Sequence, residues 1–296
     1  MSRRDEKIAE LVELVGGHAP LEGANPTAIP ELALFRGSSR HKPEPYLYET
    51  FAIFLVQGHK RIALDSKVYD YHAGRFLTTL APMPLVCECI DASKEKPMLA
   101  IAIKLEQHRI LSILTRIEQA EATPTPDDVR MPSGIFTAPI TDELLDACGR
   151  LLRTLDSPAE AAIVGEAAVD EIYFRILKHE RGGALPHLLT QRGQFQQIAR
   201  AVQHVHQNLA DVVSVDELAS LVHMSNSAFH KKFKEVMHQS PLQYAKQVKL
   251  TRAQALILEG LRVSEAGYSV GYNSPAQFSR EFKRYFGVLP SDARAG

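Results

Sequence analysis

The chain has 296 residues, 45% hydrophobic and 23% charged, with a formal net charge of −1; that length can bury a sizeable core and favours two domains over one. No apolar run approaches the roughly 20 residues of a membrane span. Three cysteines, Cys87, Cys89 and Cys148, are too few and too odd for a disulfide framework, so a reducing, cytoplasmic setting is expected.

Charge is unevenly spread. From Gln194 to Gly296 there are 12 Lys+Arg against 8 Asp+Glu, and the remainder carries 22 against 27. A basic C-terminal third on an acidic N-terminal part suggests that only one part meets a polyanion.

The opening MSRRDEKIAELVELV places Glu10 and Glu13 where a signal peptide needs apolar residues, so it reads as an amphipathic helix. Gly16-Gly17 and the Pro20–Pro30 region mark a loop. From Leu32 to Leu105 the pattern becomes short apolar or alternating runs: LALFRG, FAIFLVQG, KRIALD, VYDY, RFLTTL, LVCECI and MLAIAIKL. Strands at this spacing predict an antiparallel sandwich or barrel. Gln57-Gly58-His59 and Asp65-Ser66-Lys67 are expected as hairpin turns, and His72-Ala73-Gly74 as a further turn. Cys87 and Cys89 share one face of their strand; two small core residues is the ordinary reading, a redox or electrophile-sensing pair the sharper one.

The order of these elements, densest in VYDYHAGRFLTTLAPMPLVCECIDASKEKPMLAIAIKLE, resembles the cupin-like N-terminal domain of one group of AraC-type regulators. The resemblance implies a small jelly-roll barrel that binds a small molecule or supports dimerisation. Metal-binding cupins use a close His-x-His followed by Glu and a later His. This barrel has no His-x-His, His59 and His72 lie 13 residues apart, and Glu88 has no evident partner; no metal and no cofactor are expected, and the histidines read as exposed turn residues.

Helical spacing returns in EQHRILSILTRIEQA, with Ile110, Leu111, Leu114 and Ile117 on one face. Ala122–Gly134 is a Pro/Thr/Asp loop. Helices are predicted over Thr141–Leu155 and from Pro158, at a first helical turn, to about Glu180. The second has too many apolar residues for one narrow stripe (Ile163, Val164, Ala167, Ile172, Phe174, Ile176), consistent with packing on a partner helix or a second subunit.

Residues 187–193 are the expected linker between a 1–186 domain and a 194–296 domain. Gln194–Leu209 is a helix with Ile198, Val202 and Val205 inward. Ser214-Val-Asp-Glu217 has the form of a capping box and opens a short helix. Ser225–Pro241, SNSAFHKKFKEVMHQSP, then returns 49 residues later as Ser274–Pro290, SPAQFSREFKRYFGVLP. Both copies pair a helix-start Ser with two Phe at i and i+4. The preceding VDELASLV recurs as VSEAGYSV at an offset of 48, the second turn, Gly271-Tyr-Asn273, being one residue longer. Each unit reads as a helix-turn-helix. Ser240-Pro241 starts a connecting helix to about Glu259, spanning about 28 Å at 1.5 Å per residue, near the 34 Å turn of B-DNA.

At this point the chain resembles the DNA-binding domain of the AraC/XylS family, most specifically through GYNSPAQFSREFKRYFGVLP. The expected architecture is α+β and multidomain: an N-terminal cupin-like β-barrel with flanking helices and a C-terminal all-α double helix-turn-helix. The resemblance implies a non-enzymatic regulator of transcription acting on double-stranded promoter DNA, with a small-molecule effector, RNA polymerase as a further partner, and a homodimer paired through helices such as Pro158–Glu180. Base-reading positions carried across are Ser227, His230 and Lys231 in the first recognition helix, and Ala276, Gln277 and Arg280 in the second. Arg and Lys suit guanine and Gln suits adenine. Lys234, Lys283 and Arg284 fit phosphate, which positions without selecting sequence. Two departures stand out: His230-Lys231 replaces a polar residue followed by Arg, and Gly267 replaces the usual Ala inside a helix, costing about 1 kcal/mol of propensity. The alternatives are a metal-dependent cupin enzyme carrying a DNA-binding module, and a regulator whose N-terminal domain only dimerises.

Overall fold

The structure is a computed structural model that describes residues 2–64, 67–121, 134–179 and 194–293. It begins with α1 (Arg3–His18), capped by Ser2, and continues through nine strands: β1 (Gly23–Pro26), β2 (Leu32–Gly37), β3 (His41–Tyr48), β4 (Phe51–Gln57), β5 (His59–Leu64), β6 (Lys67–His72), β7 (Arg75–Thr79), β8 (Met83–Asp91) and β9 (Met98–Lys104). Then come α2 (Gln107–Glu121), β10 (Ile135–Pro139), α3 (Asp142–Arg153) and α4 (Pro158–Lys178).

The strands form two sheets, ordered β1-β2-β9-β4-β7-β10 and β3-β8-β5-β6. The expected closed barrel is therefore corrected to an open two-sheet sandwich, because each sheet ends in edge strands that do not pair with the other sheet. Gln57-Gly58-His59 is likewise a corner rather than a hairpin: β4 and β5 belong to different sheets, and Gly58 turns the chain at φ 95°. His72-Ala73-Gly74 makes a similar crossing between β6 and β7. In contrast β5 and β6 do pair as neighbours, Leu64 opposite Lys67, although the expected turn residues Asp65 and Ser66 lie outside the described residues.

The larger sheet is buried on both faces, which is why β4 and β9 read as nearly continuous apolar runs rather than alternating ones. Their outer face meets α1, whose Leu11 and Val15 are buried. Helix α3, with Thr141 as its N-cap, packs between α1 and α4. Arg109 of α2 ties this layer down: it reaches Glu31 Oε1 at 2.5 Å and Asp170 Oδ1 at 2.6 Å, and donates to the Glu166 carbonyl. On α4, Ile163 and Val164 remain exposed while Ile172 and Ile176 are buried. The Pro/Thr/Asp loop over 122–133 and the linker 187–193 lie outside the described residues.

The C-terminal part is all helical: α5 (Gln194–Gln207), α6 (Val215–Leu221), α7 (Asn226–Met237), α8 (Pro241–Leu258), α9 (Val263–Ser269) and α10 (Pro275–Phe286). Ile198, Val202 and Val205 of α5 are buried. One continuous core runs from the sandwich into the first helical unit as far as Val248, while Leu250, Ile257, Val270, Phe278 and Phe282 form a separate core for the second.

Candidate nucleic-acid interface and effector cavity

Each short helix is followed by a turn and a serine-capped recognition helix. The Ser225 hydroxyl accepts from the Ala228 N–H, and the Ser274 hydroxyl from the Gln277 N–H at 3.3 Å. In the first unit Ser214 accepts from the Glu217 N–H; in the second the Glu265 carboxylate accepts from the Arg262 N–H. Phe229 and Phe233 are wholly buried and tilt against each other with centroids 5.5 Å apart; Phe278 and Phe282 repeat that contact at 5.5 Å. Fixing these two rings inward leaves the remaining faces of the helix outward, since residues at i and i+4 share one face.

Ser227, His230 and Lys231 on α7 and Ala276, Gln277 and Arg280 on α10 are all exposed, as are Lys234, Lys283 and Arg284. Gln277 is not free: its side-chain N–H donates to Glu281 at 3.3 Å, while the same carboxylate accepts from the Tyr272 hydroxyl and lies 3.6 Å from Lys246. The 18-residue α8 separates the two units and rises about 27 Å.

The two turns solve one backbone problem with different residues. His223 adopts φ 56° where Gly271 adopts 87°, and the helix-ending His238 adopts 58° where Gly287 adopts 78°. A Cβ on Gly271 would stand 2.2 Å from the Ala210 carbonyl oxygen, so close approach demands glycine there. Gly267 acquires a reason too: a Cβ would come within 3.0 Å of the Phe278 ring. The helix gives up propensity at Gly267 to seat that aromatic side chain closely.

A second feature lies between the sheets. Inward-pointing residues of the larger sheet (Phe35, Ile53, Met98, Ala100, Ala102) and of the smaller (Tyr48, Lys60, Cys87, Cys89) line a cavity of about 430 Å³. The alternation of strand side chains explains the membership, because 98, 100 and 102, or 87 and 89, recur every second residue. Both cysteines are buried. The Tyr48 hydroxyl donates to Cys87 Sγ at 3.3 Å and accepts from the Lys60 ammonium at 3.3 Å. Burial pushes the Tyr48 and Tyr71 phenols far above their ordinary range, so both are neutral at physiological pH. His59 pairs with Asp70 on the outer side, and no group of three or more His, Cys, Asp or Glu gathers to hold a metal among the described residues.

The helical part is seated on the sandwich. Tyr244 of α8 is fully buried, its hydroxyl donates to the Pro82 carbonyl at 2.8 Å, and His206 Nε2 lies 2.7 Å from the Tyr244 hydroxyl oxygen. The Gly134 N–H donates to the Val236 carbonyl at 3.1 Å. Strand β3 lies against both α8 and α10.

Comparison with known proteins follows this division. Residues 28–184 match the family described as the AraC-type transcriptional regulator N-terminus, and residues 218–296 match a helix-turn-helix domain. The chain belongs to the AraC family of transcriptional regulators. Residues 218–296 are thus its helix-turn-helix domain.

Among curated AraC-family relatives, the HTH-type transcriptional regulator GbdR of Pseudomonas aeruginosa is 31% identical over 44% of this chain and 36% of its own length. ArgR from the same species is 24% identical over 51% of this chain and 48% of its own. The chain thus spans less than half the length of these relatives. Among solved structures, ToxT from Vibrio cholerae superimposes with a TM-score of 0.57 at 10% identity, covering 90% of this chain and 97% of that one. That likeness concerns the fold alone. A ToxT structure holding an unsaturated fatty acid aligns with a TM-score of 0.56, also at 10% identity. No helix among the described residues is long and apolar enough to cross a membrane.

Sequence reasoning left the cavity residues unnamed. Lys60 had a legible signal: in KRIALD it falls in phase with Ile62 and Leu64, both buried, so a lysine occupies the inward side of a strand.

Proposed function

We propose that this AraC-family chain is a one-component regulator in which α7 and α10 read promoter DNA and a small molecule in the inter-sheet cavity sets how the helical part is held. The reading rests on one observation above others: β3 supplies Tyr46, Leu47 and Tyr48 to the cavity wall and also lies against α8 and α10. Tyr48 is moreover the cross-strand partner of Met83, next to the Pro82 carbonyl that holds Tyr244. Occupancy of the cavity and seating of the spacer helix therefore share a strand.

In this reading Ser227, His230 and Lys231 contact bases from one unit, and Ala276, Gln277 and Arg280 from the other. Gln277 must leave Glu281 to pair with adenine. Lys234, Lys283 and Arg284 meet phosphates. The domains are 1–186 and 194–296, a homodimer is the working assembly, and RNA polymerase is a further partner. The cavity favours an effector-binding N-terminal domain over one that only dimerises, since a sandwich with no ligand to admit would close it with side chains.

Fluorescence anisotropy on the DNA upstream of the gene, against shuffled DNA of equal length, tests the reading between 50 and 200 mM salt. The expected result is tighter binding to the upstream DNA, with a log–log salt slope near −0.9 per phosphate neutralised. Equal affinity for both DNAs across that range would refute sequence-specific regulation.

A further inference from the structure

The Lys60 side chain is half-buried and lines the cavity. The groups facing its ammonium are two phenols, Tyr48 and Tyr71, and two thiols, Cys87 and Cys89. No carboxylate is among them. The register explains the cluster: Lys60 is the cross-strand partner of Tyr71 on β6 and of Cys89 on β8, so all three leave the sheet on one side. Of the three donors on an ammonium, one goes to the Tyr48 oxygen and one is directed to Cys87, which leaves one spare. Tyr71 is fully buried and its hydroxyl has no hydrogen-bond partner among the described residues. Burying a cation without a counter-charge is costly, as is an unmade phenol hydrogen bond. Lys60 lies in the cavity wall and Tyr71 directly opposite it on the neighbouring strand.

We propose that Lys60, with Tyr48 and Tyr71 beside it, is the anion anchor of this cavity, and that its ligand is a small monocarboxylate with an apolar body. This deepens the effector reading given above and rests on it. A carboxylate accepts from the spare ammonium donor and supplies the charge the site lacks. Phe35, Ile53, Met98, Ala100 and Ala102 take the hydrocarbon. A phosphate or dicarboxylate fits less well, because the other cation of the lining, Arg36, donates to the Ala19 carbonyl, and Glu22 and Glu49 add negative charge to the lining. At about 30 Å³ per water-sized group, 430 Å³ holds at most roughly 14 such groups, enough for a medium-chain acid or an acid with one substituted ring.

The test is isothermal titration calorimetry of the full chain with octanoate and with 4-phenylbutyrate, each against its own amide. The acids are expected to bind at least about tenfold more tightly than the amides, the range for a hydrogen bond to a charged group. Lys60→Met is expected to erase that preference and Lys60→Arg to keep part of it. Equal affinity of acid and amide for the unaltered chain overturns the proposal without recourse to any variant. So does undiminished octanoate binding by a Lys60→Met protein whose circular dichroism matches the parent. Binding to upstream DNA, measured in parallel without added acid, separates the two readings: a chain that binds DNA but neither acid loses only the anchor, whereas one that binds acids but no specific DNA loses the regulator.

Discussion

His206 gives the seat of the helical part on the sandwich a measurable pH signature. The Tyr244 hydroxyl has one proton, and it goes to the Pro82 carbonyl; His206 Nε2 must therefore carry a hydrogen and donate to Tyr244. Burial pulls the imidazole pKa from 6.5 down to about 4, so the ring is neutral when folded. An unfolded chain takes up a proton near pH 6.5 that the folded chain refuses until about pH 4. The contribution is thus complete above pH 6.5 and is lost as pH falls towards 4. A difference of about 2.5 units at 1.36 kcal/mol each sets its ceiling on the order of 3 kcal/mol.

Other carboxylates titrate over part of this window, so the informative quantity is a difference between two proteins. Urea unfolding at pH 7.0, 6.0, 5.0 and 4.5 is compared for the parent and for His206→Gln, whose amide can still donate to Tyr244 but does not titrate. The variant is expected to be less stable than the parent at pH 7, by about 1 kcal/mol, and to draw level or overtake it by pH 4.5. Parallel stability curves would refute the assignment of a neutral, buried His206. Tyr244→Phe provides a cross-check: it leaves the Pro82 carbonyl and the His206 N–H unpaired and should cost about 1–3 kcal/mol at pH 7.

Three further outcomes follow from the helical units. Arg280→Ala should weaken specific DNA binding by about 1–3 kcal/mol and relax selection at one base pair, whereas Lys283→Ala should weaken all sequences alike and lower the salt slope by about 0.9; site selection from a randomised pool at two salt concentrations distinguishes them. Gly271→Ala meets both a positive φ and the Ala210 carbonyl, and should cost at least about 2 kcal/mol in urea unfolding. His223→Gly, at the equivalent position of the first turn where the side chain is exposed, should instead raise stability by about 0.5–1 kcal/mol, the relief of a left-handed residue less the entropy glycine adds to the unfolded chain.

The sequence made local patterns legible and left the relations between them hidden. Seven apolar runs between Leu32 and Leu105 all became strands, because period and turn residues are local signals. Strands β1, β3 and β10 were missed: GANP is short and mostly exposed, HKPEPYLY carries two prolines, and IFTAP is a five-residue run holding a Thr and a Pro. Proline is tolerated in β3 because it is the edge strand of its sheet, a fact of pairing that no window of sequence contains. The same blindness turned a corner at Gly58 into a hairpin and left sandwich and barrel undecided, the barrel coming from the family resemblance.

The repeat shows where that boundary lies. Its Phe pairs and cap serines specify a helix with one buried face, and both copies obey. Yet the copies differ at the positions that meet the rest of the molecule. Gly271 must clear Ala210, in the loop before α6, while His223 is exposed and tolerates a side chain at nearly the same backbone angle. The first unit shares its core with the sandwich and the second has its own. On the proposed reading, a signal arising in the cavity reaches the first unit through a shared core and the second through α8 and the contacts of β3 with α8 and α10. If the two units respond unequally to the effector, the half-site assigned by the proposal to Ala276, Gln277 and Arg280 should be the one whose affinity changes less. Footprinting with and without octanoate would measure it, and equal change at both half-sites would show that α8 carries the signal undiminished.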